Sequence, residues 1–224
     1  MDAQIREIKR QFRMAMNGIV STSMREKGMD YKINFGLTLP LIKRIAEKYS
    51  PNAELAELLW KENIRESKIL ATLLYPAQEL TPEIMQHWAD TIVYREIADM
   101  CCMNLFEKVP FALDKALKWI SSDNEMLRYT GFQLITRLAM AKNVFTAEVP
   151  ICIMDIINTN AGSFSTTTLH AAINCVKRIL QIDRPTALTI KTATESWKNH
   201  SPLNKSIAED IIDEFYFLYS EPVV

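Results

Sequence analysis

Helix-start signals recur along this chain at an interval of about thirty residues, and no other feature narrows its fold as much. Apolar positions at helical spacing predict helices opening near residues 64, 93 and 124, and another near 165, about forty residues on. That is the period of two-helix repeats. Each repeat is too thin to bury its own apolar face and becomes stable only when stacked on a neighbour. The spacing predicts one all-α domain over residues 1–224, with about twelve helices in six pairs joined by short connections. Such a stack curves and leaves a concave face lined by one helix of each pair. A plain globular bundle is the competing architecture.

Local signals agree with this frame. Residues 2–17 place Ile5, Ile8, Phe12, Met14 and Met16 near one face, with Arg6, Lys9, Arg10 and Arg13 around them. A weaker helix follows from Ile19 to Glu26. Thr38 is the expected cap of a helix with Pro40 in its first turn and Lys48 near its end. Helices are expected over 52–61, 64–75 and 93–108. Thr81-Pro82-Glu83 supplies cap, first-turn proline and an acid against the dipole. Pro110 opens the next helix, and Asp123 or Asn124 caps a long one ending near Lys142. Thr146 caps another, residues 158–163 break the pattern, Ser165 caps a helix to about Gln181, Pro185 lies in the first turn of the next, and Ser201-Pro202 opens the last.

Composition excludes several classes. Five glycines in 224 residues are too few for a turn-rich β protein or a dinucleotide-binding sheet. With 48% apolar and 24% charged residues the chain is expected to fold rather than remain disordered. No apolar run reaches membrane-spanning length, and residues 1–16 lack the uninterrupted apolar core of a signal peptide, so a cytoplasmic protein without membrane contact is expected. Cys101, Cys102, Cys152 and Cys175 have no CxxC spacing and are read as reduced, mostly buried thiols. His87, His170 and His200 lie far apart, with no HExxH, so neither metal nor cofactor is expected. Phosphate-binding and nucleophile-elbow motifs are absent as well.

The net charge of −1 is unevenly spread. Residues 1–48 hold ten Lys or Arg against five Asp or Glu, whereas 206–224 hold five acids and no base. A neutral protein of this kind can still carry one basic face. Asp99 lies among Ile97, Ala98, Met100, Cys101, Cys102 and Met103. A carboxylate in so apolar a setting is ion-paired, protonated or turned to a cleft, and an ion pair with Arg95 one turn earlier, or a capping role, is the plainer reading. Bases also sit beside flat side chains on successive elements: Trp88 before Arg95, Arg128 next to Tyr129, Lys177 next to Arg178. Such pairs are able to track a phosphate backbone, or they are solvated bases beside core aromatics. Trp60, Trp119 and Trp197 are read as core.

The stretch 36–74 carries a resemblance. Gly36 with Pro40, the Lys43-Arg44-Ile45-Ala46 run, Leu58-Leu59-Trp60, and Glu66 with Ile69-Leu70-Ala71 resemble the opening helices of the DNA alkylation repair family, the HEAT-like alkylpurine DNA glycosylases of the AlkD type. Residues 88–106 resemble that family's Trp-Asp-x-x-Asp stretch, 125–134 its Trp-x-x-Arg helix, and 169–178 a later groove helix. The resemblance implies a right-handed α-α superhelix of HEAT-like or armadillo type. It also implies a cleft of two tryptophans, an aspartate and an arginine that excises purines alkylated at N3 or N7 without flipping the base, unlike base-flipping glycosylases. In that scheme the aspartate stabilises the oxocarbenium-like sugar and positions the water.

Carried over by position, Asp99 takes the place of the catalytic aspartate. The tryptophan four residues before it is Arg95, the groove arginine falls on Tyr129 beside Arg128, and the second cleft tryptophan is Asn174. Lys177 and Arg178 fit phosphate-contacting bases. The implied site is therefore Asp99 as catalytic group, Trp88, Arg95, Tyr129 and Asn174 as cleft, and Arg128, Lys177 and Arg178 on DNA. The implied partner of this monomer is double-stranded DNA, alkylated or structured, with alkylpurine excision as its possible chemistry. A non-catalytic binder of DNA structure and a protein-binding helical scaffold are the alternatives.

Overall fold

Low glycine content and regular caps leave the chain few ways to be anything but helical. The computed structural model describes residues 1–141, 145–199 and 201–219. Its helices are α1 (Asp2–Met14), α2 (Gly18–Glu26), α3 (Leu39–Ala46), α4 (Ala53–Trp60), α5 (Arg65–Leu74), α6 (Pro82–Asp90), α7 (Arg95–Asn104), α8 (Ala112–Ile120), α9 (Glu125–Met140), α10 (Glu148–Asn160), α11 (Thr166–Leu180), α12 (Arg184–Glu195) and α13 (Pro202–Tyr219). Short 3-10 turns follow α5, α7, α10 and α12. Among the described residues the β structure is limited to an isolated parallel bridge, Ile33 to Ile64, and no helix is long and apolar enough to cross a membrane. The chain clusters into two compact units, Met1–Val109 and a second from Pro110 onward.

The predicted period is written into the contacts of the first unit. The Trp60 indole donates to Thr91 at 3.0 Å, Trp88 to Glu57 at 2.8 Å and Arg65 to Glu96 at 2.7 Å, and each pair lies 31 residues apart. Asn104 donates to Thr72 at 2.8 Å across 32 residues. Equivalent positions of adjacent repeats thus meet, as stacking requires. α5 packs on α3, α4 and α7 and carries the unit's buried charge. The Glu66 carboxylate is fully buried and accepts from the Phe35 N–H at 3.1 Å and the Leu37 N–H at 3.2 Å. Arg65, also buried, bonds Glu66, Glu96 and the Leu37 carbonyl. Between those two amides, Gly36 adopts φ +69 and lies so close to α2 that a Cβ would stand 2.4 Å from the Asn17 carbonyl oxygen. Only glycine tolerates both demands.

In the second unit α9 packs on α8 and α11, and α12 on α10 and α13. A Cβ at Gly131 would stand 2.9 Å from the Ala116 carbonyl oxygen, so this glycine sets the close approach of α9 to α8. The repeat is longer here. Ser165 N–H donates to Glu125 across 40 residues, and the Tyr219 hydroxyl to the Leu180 carbonyl across 39.

The caps fall nearly where the sequence puts them. Asn124, not Asp123, caps α9, and Ser165 caps α11. Thr38 is the cap of α3 by backbone alone, without a side-chain bond. Thr146 stands one residue before the cap of α10, where its side chain bonds Glu148. The helix expected over 93–108 is shorter, Arg95–Asn104, followed by a 3-10 turn. Lys142 lies outside the described residues. The face expected of α1 needs correction: Ile8 and Phe12 are buried, but Met14 is 74% and Met16 58% exposed. Met14 is two residues past Phe12, about 200° around the helix, which turns it away from the core. Cys101, Cys102 and Cys175 are buried, whereas Cys152 is exposed.

Removing Glu66 strands Arg65 and two amide groups in the core. Glu66→Ala is expected to cost about 3–5 kcal/mol, read by urea denaturation. A cost below about 1 kcal/mol would show that the loop at 35–37 does not depend on this carboxylate.

Candidate nucleic-acid interface

The first unit carries Trp88 on α6 and Arg95 and Asp99 on α7. Trp88 is corrected from cleft wall to core. Its ring is 0% exposed, stacked on Trp60 at 4.1 Å with planes 2° apart, and met edge-on by Tyr75. Its indole N–H is already satisfied by Glu57, so nothing of it is left for a ligand. Such a stack is worth about 0.5–1.5 kcal/mol beyond its burial. Lys68 lies over Trp60 at 4.5 Å and donates to the Trp60 carbonyl, and burial pushes its ammonium below the usual lysine range. Asp99 is half-buried and Arg95, one turn earlier, is exposed.

The second unit holds the other expected residues on the packed pair α9 and α11. Tyr129 is 7% exposed and its hydroxyl accepts from Gln133 at 2.8 Å, so it belongs to the packing of α9. Arg128 is 14% exposed at its side chain, bonded to Glu125 at 2.7 Å and to the Ser122 carbonyl, and lies over Phe164. Asn174 is exposed on α11. Lys177 is paired with Asp210 at 2.6 Å and Glu214 at 3.8 Å, and Arg178 donates to Gln181. The bases at 128 and 177 are therefore already neutralised. A phosphate must compete with a carboxylate to reach either one.

Charge with fewer such ties lies at the start of the chain. Arg6 and Arg13 on α1, Arg25 on α2, Lys43 and Arg44 on α3, and Lys48 just beyond it are all exposed. The basic surplus of residues 1–48 marks this region, and the sequence places Arg6 and Arg13 on the polar side of the first helix and Lys43 and Arg44 in the family-like run, without assigning any of them to DNA. Which of them share a surface depends on how α1 packs beside α3. His87 and His170 are exposed on α6 and α11, and His200 lies outside the described residues. Among the described residues no three His, Cys, Asp or Glu side chains gather where a metal would sit.

Glu125 links α9 to the start of α11. Partial burial pushes its carboxyl up, but bonds from the Ser165 and Thr168 side chains, from Arg128 and from the Ser165 N–H outweigh this and hold it at about 2, against 4.5 ordinarily. A depressed carboxylate stabilises the fold above its unfolded pKa and loses that contribution as pH falls. The link is thus complete above about 4.5 and lost toward about 2. Glu125→Gln is expected to be less stable than the wild type near neutral pH, with the difference shrinking through that window in urea titrations. A gap that stays constant on acidification would mean the carboxylate's charge has no part in the link.

Residues 8–177 match the model of the DNA alkylation repair enzyme family. No curated protein matches the chain significantly. Among solved structures, one from a new family of proteins related to the HEAT-like repeat DNA glycosylases, with affinity for branched DNA structures, superposes with a TM-score of 0.77. It is 18% identical, and the match covers 93% of this chain and 92% of that one. This likeness makes the fold a HEAT-like helical repeat, in keeping with the two-helix period of the sequence and with the type that the family resemblance implies. With three quarters of its length matched by the family model, the chain belongs to the DNA alkylation repair enzyme family.

Proposed function

We propose that this protein binds DNA through its phosphates, favours branched or otherwise distorted DNA, and draws most of the necessary charge from its first unit. The observation that carries this reading is the exposure of Arg6, Arg13, Arg25 and Lys43 within a stretch holding ten bases and five acids. Phosphate neutralisation by such side chains releases counterions and gives affinity without sequence preference. The solved relative described as having affinity for branched DNA lends support. Arg128, Lys177 and Arg178 are secondary contacts in this reading, since two of the three are held by carboxylates.

Excision of alkylated purines is the second reading, favoured by Asp99, half-buried on α7 at the position of the family's catalytic aspartate. A carboxylate there would stabilise a cationic sugar and orient water. The surroundings support it less. Arg95 brings a positive charge where the family has an aromatic wall, Tyr129 is buried, Asn174 is polar, and Trp88 is in the core. A cation near an oxocarbenium-like transition state opposes the stabilisation that the aspartate supplies.

Two measurements test these readings. Affinity for duplex and four-way-junction DNA should fall about fortyfold between 50 and 200 mM salt if three phosphates are neutralised. Arg13→Glu and Lys43→Glu should each weaken binding about tenfold on every sequence, and Lys177→Ala less, because Lys177 is already paired. Binding indifferent to salt and to both reversals would leave a protein-binding scaffold as the better account. Release of methylated purines from alkylated duplex should be absent from the wild type and from Asp99→Asn alike. Release that vanishes in Asp99→Asn would replace the binding reading with a glycosylase.

A further inference from the structure

A cleft of about 540 Å³ opens between α1 and α3 in the first unit. It falls within the roughly 300–1,000 Å³ typical of small-ligand sites. Its rim holds Arg10, Arg44 and Lys48 against one acid, Glu7, a surplus of two positive charges. Its wall includes Leu41 and the exposed Met14. The rim is ordered by its own bonds. Glu7 holds the Arg10 guanidinium through two contacts of 2.7 and 2.8 Å, which leaves Nη1 3.0 Å from the Met14 sulfur. Lys48 donates to Gln11 at 2.9 Å, tying α1 to the turn after α3.

We propose that this cleft takes one unpaired nucleotide of a DNA strand, with its phosphate on Arg44 and Lys48 and its base against the Arg10–Met14 edge and Leu41. The inference rests on the DNA-binding reading and adds the chemistry by which a branch carrying an unpaired nucleotide is told from a continuous duplex. Charge alone does not distinguish an unpaired nucleotide from a duplex; the apolar part of the lining is what favours one. A continuous duplex presents phosphates outward and keeps its base faces stacked, so it offers Met14 and Leu41 nothing to cover. An unpaired nucleotide exposes a flat face that stacks on a guanidinium plane or packs against a polarisable thioether, beside a phosphate for the remaining cations.

The test uses the full chain and three fluorescent DNA probes: a blunt duplex, a fully paired four-way junction, and a duplex with a short unpaired flap carrying 2-aminopurine at its branch-proximal position. The wild type should bind the flap about tenfold more tightly than the blunt duplex, with a change in 2-aminopurine emission. Met14→Ala, at an exposed position with little role in folding, should lower flap affinity about fivefold and abolish the emission change while leaving the blunt duplex unaffected. Arg44→Ala should weaken the flap more than the duplex. If flap and duplex bind alike, or Met14→Ala changes neither affinity nor emission, the cleft assignment is overturned and phosphate binding stands. If Arg44→Ala weakens all three probes equally, the cleft is part of a duplex track and holds no nucleotide. If no probe binds, the DNA-binding reading and the cleft assignment fall together.

Discussion

A carboxylate with no access to water holds the first unit together. Glu66 accepts two backbone N–H groups from the segment that precedes α3 and shares its charge with Arg65, which in turn reaches Glu96 on the next repeat. A buried ion is costly unless it is paired and hydrogen-bonded, so each of these partners matters to the others. It fixes the path of residues 35–37, forces glycine at 36, and sets α3 against α5. The cleft between α1 and α3 therefore depends on a carboxylate that never touches it.

The same unit shows how a repeat is enforced without sequence identity. Trp60, Trp88, Arg65 and Asn104 each bond a residue 31 or 32 positions away, and no two of these bonds use the same chemistry. What recurs is the offset, because stacked helix pairs bring equivalent backbone positions together whatever side chains they carry. The Trp60–Trp88 stack joins the same repeats, and it consumes the aromatic surface that an exposed cleft would need.

Charge is distributed by the same logic. Arg128 and Lys177 look, in sequence, like a phosphate track, yet Arg128 lies one turn from Glu125 and Lys177 meets Asp210 and Glu214 of α13. The α1 and α3 bases have fewer acids in reach, since residues 1–48 contain half as many acids as bases. A neutral protein thus keeps a basic region where its composition is locally unbalanced.

The sequence by itself determined the helices, their caps and their period. Those depend on hydrophobic spacing and on cap chemistry within a few residues: Asn124 and Ser165 cap where they stand, and the helices at 65, 95, 125 and 166 open within two residues of expectation. It also carried the family, through packing residues such as Gly36 and Glu66 whose roles the structure explains. Only the tertiary structure decided which of the candidate side chains are accessible. Trp88, Tyr129 and Arg128 differ little in sequence from groove residues, but a stacking partner, a neighbouring amide and a carboxylate one turn away remove them from solvent. Gln133 and Glu125 lie within a turn of their partners, but Trp88 and Lys177 are taken up by Glu57 and Asp210, 31 and 33 residues distant, which the local pattern does not specify. The cleft at Met14 is the converse case: helix geometry turns that methionine away from the core, but that it lines a cleft follows from the packing of α1 beside α3.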